Sequence, residues 1–278
     1  RVTPAPRKVE RLGAAAQGLL ARYLASTAVI SARDPVLALV HSIDGILAAL
    51  AQPGDAFVTL YERGQGDEFL RVVCCDARDA LAQSFSAFRR VVGFSATLKP
   101  FDYYARLSGF NQESLHTAEF SSPFPKANRK LLIIPQVSTK YRDRAREVGR
   151  IADAVQRIAA VRPGNYVVFF PSFKFLTDTA AYLTPPPELT LLVQKPQMTR
   201  HEVTAYLRQL AEPGQPNLLL AVAGGGLSEG VDYPGDLLVG AIIVGPAIPG
   251  VGPAREALRD YYQKHYGQGD DYAYTYPA

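Results

Sequence analysis

Asn217-Leu218-Leu219-Leu220-Ala221-Val222-Ala223-Gly224-Gly225-Gly226-Leu227-Ser228-Glu229-Gly230-Val231-Asp232-Tyr233 is the stretch that decides the fold. Asn217–Val222 runs without polar alternation, which marks a strand covered on both faces. A glycine-rich polar loop follows, and Leu238–Val244 is the next apolar strand. Upstream, Asn165–Phe170 and Leu189–Val193 are runs of the same kind. Helical spacing separates them: Thr139–Ala160 carries Val148, Ile151, Val155 and Ile158 on one face and ends at Pro163-Gly164, Lys174–Leu183 is the next helix, and Thr199–Leu210 the one after. Pro253–Tyr266 closes the series as a helix, Lys130–Ile134 opens it as a strand, and Pro185-Pro186-Pro187 reads as a rigid connector. Buried strands alternating with amphipathic helices predict an α/β parallel sheet with helices on both faces. Its core is expected to hold Val167, Phe169, Ile151, Val155, Leu219, Ala221 and Ile243.

Before residue 100 the pattern differs. Val9–Ile30 has apolar positions at three- and four-residue intervals, and Asp34-Pro35 is a cap and first turn for a second helix to about Leu50, which Pro53-Gly54-Asp55 ends. Ala56–Tyr61 and Glu68–Cys75 read as a hairpin around Arg63-Gly64-Gln65-Gly66. Asp79–Phe88 is a helix, and Val91–Phe94 a short strand running into Ser95-Ala96-Thr97-Leu98.

The chain has 278 residues, 47% hydrophobic and 20% charged, enough for one large or two ordinary domains with real cores. A formal charge of +4 permits a nucleic-acid partner without arguing for one. The two cysteines, Cys74 and Cys75, are neighbours on a strand and point to opposite faces, so they form neither a metal pair nor a disulfide framework; a reducing compartment is expected. No run approaches the ~18 apolar residues of a membrane span, and no signal peptide is visible. The four histidines are scattered, so no metal site is expected.

Ligands bind at the carboxyl ends of such strands, which directs attention to the loops Ser95–Leu98, Pro171-Ser172-Phe173 and Gly224–Tyr233. The glycine-rich loop fails GxGxxG, because Glu229 stands at the third glycine position, and it lacks the Lys-Ser/Thr of a P-loop. No Walker A or DEAH-type box occurs, and Asp67-Glu68 lies in a polar turn, so the chain by itself does not grip a nucleoside triphosphate and its metal in the usual way. The glycines are accounted for by a tight bend alone. Ser228, Glu229 and Asp232 fit two roles: ribose and phosphate contacts, or a network that closes the loop. Ser172 is placed to cap the following helix or to donate to a backbone phosphate, with capping the commoner role. Arg142, Arg146 and Arg150 form a helical stripe, but the interleaved Asp143 and Glu147 favour a solvated face over a nucleic-acid track. The tyrosines crowding the C-terminus, Tyr261 to Tyr276, suit packing more than base stacking.

Together these loops resemble one family, the XPD/DinG-type superfamily 2 DNA helicases. Val91-Val92-Gly93-Phe94-Ser95-Ala96-Thr97-Leu98-Lys99-Pro100 is similar to the family's motif III, and Cys75-Asp76-Ala77 to the C-x-D segment before it. Gly164 to Phe173 resembles motif IV, Leu220 to Asp236 motif V, and Gly245 to Tyr262 the segment after it. The likeness spans roughly residues 70 to 278, and the three motifs in this order form a specific signal. Gly226 stands where a basic residue is usual, and Gly245-Pro246-Ala247-Ile248-Pro249 permutes the usual prolines. The Walker A, the DEAH box, the cluster-ligating cysteines and the arginine-rich motif VI are absent from this chain.

The resemblance implies a C-terminal piece of an ATP-dependent DNA helicase, acting in DNA repair or replication stress and inactive alone. Residues 1–100 are expected to be a helical segment and the end of a first RecA-like motor domain, and 101–278 a second RecA-like domain cut before motif VI. It implies that Glu229, Gly230 and Asp232 line the nucleotide cleft, that Ser95 and Thr97 couple it to DNA, and that Ser172, Phe173 and Ser228 contact DNA, with no catalytic residue inside this chain. ATP and Mg2+ would be held mainly by residues outside the chain, where a 4Fe-4S cluster would also lie. The implied partners are single-stranded or forked DNA and the missing N-terminal motor domain, with no membrane; the implied location is the cytoplasm, at the nucleoid if bacterial. A non-enzymatic nucleic-acid-binding or interaction module with a RecA-like fold is the second hypothesis. A flavodoxin-like or Rossmann ligand-binding domain is the third.

Overall fold

The computed structural model describes residues 6–26, 34–51, 54–63, 68–248 and 250–277. Residues 27–30 of the first expected helix, Pro53, the hairpin tip with Asp67, Pro249 and Ala278 lie outside the described residues. Contacts divide the chain into two compact units: residues 1–120 with 250–277, and residues 121–249. This division falls twenty residues beyond the motif-based boundary at Pro100 and returns the segment from Gly250 to the first unit.

In the first unit, α1 (Pro6–Leu24) pairs with α2 (Pro35–Leu50). Asp34 caps α2 as expected, accepting from Val36 N–H at 2.9 Å and Leu37 N–H at 3.2 Å. β1 (Phe57–Arg63) and β2 (Glu68–Cys74) form the expected antiparallel pair, Phe57 opposite Cys74 and Arg63 opposite Glu68. α3 (Arg78–Phe85) and α4 (Phe101–Leu107) follow. The expected strand Val91–Phe94 does not form: the segment lies in no ladder of the described residues, and Val92 and Phe94 are 81% and 90% exposed.

The second unit is the predicted α/β layer. α5 (Arg144–Ala159) leads to β3 (Tyr166–Phe170), α6 (Phe173–Ala180), β4 (Thr190–Val193), α7 (Arg200–Leu210), β5 (Asn217–Val222) and β6 (Gly240–Ile243). The sheet order is β4-β5-β3-β6 and every pairing is parallel. Alternate side chains go to opposite faces. Tyr166, Val168, Phe170, Leu218 and Leu220 pack with Val148, Ile151 and Val155 of α5 and Phe175 and Leu176 of α6. Val167, Leu219 and Ala221 pack on the other face with Leu192, Leu210 of α7 and Leu227. Helices on both faces of a parallel sheet explain why the strands read as unbroken apolar runs. Asn165 ties the amino-terminal ends together, donating to Leu210 O at 2.7 Å and Leu237 O at 2.9 Å while accepting from Asn217 N–H at 2.9 Å.

Two expectations fail in the second unit. Ile243 is 72% exposed, because β6 is the edge strand and the helical cover on its face thins from Val167 through half-buried Phe169. Lys130–Ile134 is not a strand: Leu131, Leu132 and Ile133 are exposed, and the run lies in no ladder of the described residues. Apolar side chains make a strand only where a neighbour supplies hydrogen bonds.

The chain then returns to the first unit as α8 (Pro253–Tyr266), which ends at Gly267 in the left-handed conformation, φ +69°. A π-helical turn at Asp271–Thr275 follows. Tyr261, Tyr262 and Tyr272 pack with Cys75 and Tyr103, so the C-terminal tyrosines are core residues of this unit.

Candidate nucleotide and DNA site

Two of the three informative loops leave neighbouring strands at the same edge of the second unit's sheet. Phe170 lies opposite Val222 in the β3–β5 ladder, so Pro171-Ser172 and Ala223-Gly224 depart side by side. Ala223 N–H donates to Phe170 O at 2.9 Å and joins the two departures.

Ser172 is the N-cap of α6, its Oγ accepting from Phe175 N–H at 3.3 Å. That bond uses an oxygen lone pair and leaves the hydroxyl hydrogen able to donate elsewhere. Phe173, the first residue of the helix, is half-buried.

The loop after β5 is built from inside. Leu227 is fully buried in the α7-side core, and the Tyr233 hydroxyl donates to Leu227 O at 2.6 Å. Burial pushes the Tyr233 phenol up from its ordinary value. Gly224 adopts φ +77°, and Gly225 O accepts from Ser228 N–H at 2.8 Å, Glu229 N–H at 3.0 Å and Ser228 Oγ at 2.9 Å. Ser228 therefore closes the loop, one of the two roles its position allowed. Glu229, Gly230 and Asp232 stand on the exposed side, Gly230 at φ +72° with open space where a Cβ would go. With two carboxylates, a hydroxyl and no Lys or Arg between Ala223 and Tyr233, this loop suits hydroxyl groups better than a bare triphosphate. Among the described residues, no group of three or more His, Cys, Asp and Glu could hold a metal ion.

Gln194, which the motif reading passed over, lies beneath this loop. It follows Leu191-Leu192-Val193, and a polar residue ending an apolar strand is the only sign of it in the sequence. It is 6% exposed and accepts from Val222 N–H at 2.7 Å.

Ser95 and Thr97 belong to the first unit and form a local turn, with Thr97 N–H donating to Ser95 Oγ at 3.3 Å and both side chains exposed. The α5 arginines are matched by acids: Arg146 meets Asp143 at 3.0 Å and Arg150 meets Glu147 at 3.3 Å, as a solvated face requires. A groove of about 670 Å³ lies along α5, lined by Ile134, Val137, Arg150, Asp153 and Arg157, and holds none of the motif residues.

Comparison with known proteins gives this geometry its context. The family model described as "Helicase C-terminal domain" matches residues 155–278. The XPD helicase subunit of the general transcription and DNA repair factor IIH from Schizosaccharomyces pombe is 31% identical over 70% of this chain and 28% of its own length. The ATP-dependent DNA helicase chl1 of Aspergillus niger is 24% identical over 80% of the chain and 28% of its own. The ATP-dependent DNA helicase DDX11 of Homo sapiens is 28% identical over 88% of the chain and 27% of its own. The chain thus spans under a third of the length of these relatives. A solved XPD helicase structure superposes with a TM-score of 0.59 at 16% identity, covering 99% of this chain and 48% of the other, which supports the RecA-like fold. Among the described residues no helix is long and apolar enough to cross a membrane. Residues 155–278 thus match the helicase C-terminal domain family, and the chain is similar to part of the XPD, chl1 and DDX11 helicases.

Proposed function

We propose that this chain is the C-terminal motor portion of an ATP-dependent DNA helicase that couples hydrolysis to movement on single-stranded or forked DNA, in DNA repair or replication stress. The observation that carries the reading is the shared departure of the Ser172 and Ser228 loops from adjacent parallel strands, inside a segment matching the helicase C-terminal model. In an open parallel sheet, this edge is where ligands bind.

Glu229, Gly230 and Asp232 face the nucleotide; Ser172 and Phe173 face the DNA backbone, and Ser228 joins them when its hydroxyl turns from Gly225 O to a phosphate oxygen; Ser95 and Thr97 couple the two. The Ser172 hydroxyl donates to a phosphate oxygen while its lone pair keeps the helix capped. Asp232 or Glu229 accepts from ribose hydroxyls, an acceptor-only role that ionised carboxylates fill. Residues 1–100 and 101–278 contribute to two RecA-like lobes, and the remainder of the first lobe grips ATP and Mg2+, whose charge neutralises the transferring phosphoryl group. The exposed Val92 and Phe94 suit burial by that lobe. Any iron–sulfur cluster is held outside this chain. The protein works in the cytoplasm, at the nucleoid if bacterial.

The test is ATP turnover by the full-length protein with and without single-stranded DNA. Stimulated turnover is expected in the parent, Asp232→Ala should lower kcat at least tenfold with DNA affinity within threefold, and this chain alone should show none. Lost DNA affinity with unchanged turnover would reverse the assignment of the loop.

A further inference from the structure

We infer that Gln194 is a positioning residue for the loop Ala223–Asp232, and that its side chain substitutes for a backbone rung the sheet lacks. The β4–β5 ladder pairs Val193 with Leu220, and Gln194 N–H still donates to Leu220 O at 2.9 Å. Beyond that point the chain leaves the sheet: Pro196 has no N–H, and Gln197 turns with φ +57°. β5 continues, and its next inward N–H, on Val222, finds the Gln194 carboxamide oxygen at 2.7 Å. A buried N–H without an acceptor is costly, so the side chain holds β5 in register up to the residue before the loop begins.

The loop is shaped to this contact from its own side. A Cβ on Gly225 would stand 2.9 Å from Gln194 Nε2 and 3.0 Å from Val222 O, so any larger residue would have to push the carboxamide away from the first turn. That same Gly225 carries the carbonyl on which Ser228 and Glu229 fold back. One chain of contacts therefore runs from Gln194 through Val222 and Gly225 to Ser228 and Glu229. Gln194 touches neither ligand in this arrangement; it sets where the residues that would touch them stand.

The assignment rests on the helicase reading for its consequence in turnover, but not for its structural content, and the two are separable by experiment. Three variants of the full chain are compared: Gln194→Met, which keeps length and loses the acceptor; Gln194→Glu, which keeps the acceptor; and Gly225→Ala. Amide hydrogen exchange is read over 221–230 against 217–220 within β5, together with the ratio of DNA-stimulated to DNA-free ATP turnover in the full-length protein. Gln194→Met and Gly225→Ala should speed exchange over 221–230 at least tenfold, leave 217–220 within twofold, and lower the stimulation ratio at least fivefold. Gln194→Glu should stay within twofold of the parent in both readouts. Unchanged loop exchange in Gln194→Met, equal damage by Gln194→Glu, or a uniform rise across β4 and β5 would overturn the assignment. So would a stimulation ratio that survives a freed loop. A parent without DNA-stimulated turnover would refute the helicase reading, while selective loosening of 221–230 would still establish Gln194 as the loop's anchor.

Discussion

The hydroxyl of Tyr266 donates to the buried carboxylate of Asp76 at 2.8 Å, across 190 residues of sequence. Tyr261 adds a second bond to the same oxygen at 3.2 Å, and Arg78 N–H occupies the other oxygen at 2.9 Å. α8 is thereby fastened to the end of the β1–β2 hairpin, inside a cluster where Tyr103 meets Tyr272 edge-on at 4.8 Å. Removing Asp76 leaves one buried phenol, Tyr261, and one half-buried phenol, Tyr266, without an acceptor. Asp76→Ala should cost about 2–4 kcal/mol and Tyr266→Phe about 1 kcal/mol in urea unfolding followed by tyrosine fluorescence. Equal, small losses for both would show that packing rather than the carboxylate holds α8.

The same cluster makes the first unit sensitive to alkali. Burial, and then the bond to Asp76, pushes the Tyr266 phenol up to about 12, and burial raises Tyr261 and Tyr262 as well. The unfolded chain gives up these protons from about pH 10, whereas the folded chain keeps them until higher pH. Stability is therefore full below pH 10 and falls as pH rises toward about 12. The urea midpoint measured at intervals from pH 9 to 12 should drop over that window, less steeply in Tyr266→Phe. A flat midpoint would contradict the buried-phenol account.

On the acid side, Lys264 and His265 at the end of α8 hold the Asp55 carboxyl down to about 2. Its contribution is present above the ordinary carboxylate range and is lost as pH falls toward 2. Asp55 is about half exposed, so the effect is screened. The acid limb of the first unit's stability should shift upward in Asp55→Asn at low ionic strength, and the shift should shrink in molar salt.

How much could be read beforehand divides along physical lines. The four parallel strands and the helices between them were legible because burial on both faces leaves an unbroken apolar run, as in Asn217–Val222. The caps were legible too: Asp34 before Pro35 and Ser172 before α6 do what short polar side chains do at helix starts. The runs at 91–94 and 131–134 misled because apolar content signals a strand while the ladder partner is a matter of tertiary structure. Ser172 and Ser228 were found from the motifs, and their neighbouring departure points emerge only from the β3–β5 register. Gln194 escaped notice because a side chain completing a backbone ladder has no spacing rule.

Gly109 offers a sharper test of packing in the first unit. It adopts φ +70°, and a Cβ there would lie 2.3 Å from Arg78 O and 2.9 Å from Ala82 N, both backbone atoms of α3. Gly214 has a similar φ of +78° with nothing within 4 Å. Gly214→Ala should cost about 1 kcal/mol, the backbone term alone. Gly109→Ala should cost at least about 2 kcal/mol more, because α3 must move. Thermal unfolding of the two variants side by side would separate the steric part from the conformational part, and equal costs would mean that α3 yields freely.

The two isoleucines expected together in the core now stand at opposite extremes. Ile151 is 3% exposed between α5 and the sheet, while Ile243 is 72% exposed on the edge strand. Ile151→Ala should therefore cost about 2–5 kcal/mol through lost burial and a cavity. Ile243→Ala should stay within about 0.5 kcal/mol, as surface substitutions do. An exposed apolar edge strand invites pairing between copies, and a charge there opposes it. Ile243→Lys should leave the urea midpoint unchanged while reducing concentration-dependent light scattering. A loss above about 1 kcal/mol in Ile243→Ala would mean that this face of β6 is covered in solution, since only a buried side chain loses so much on truncation.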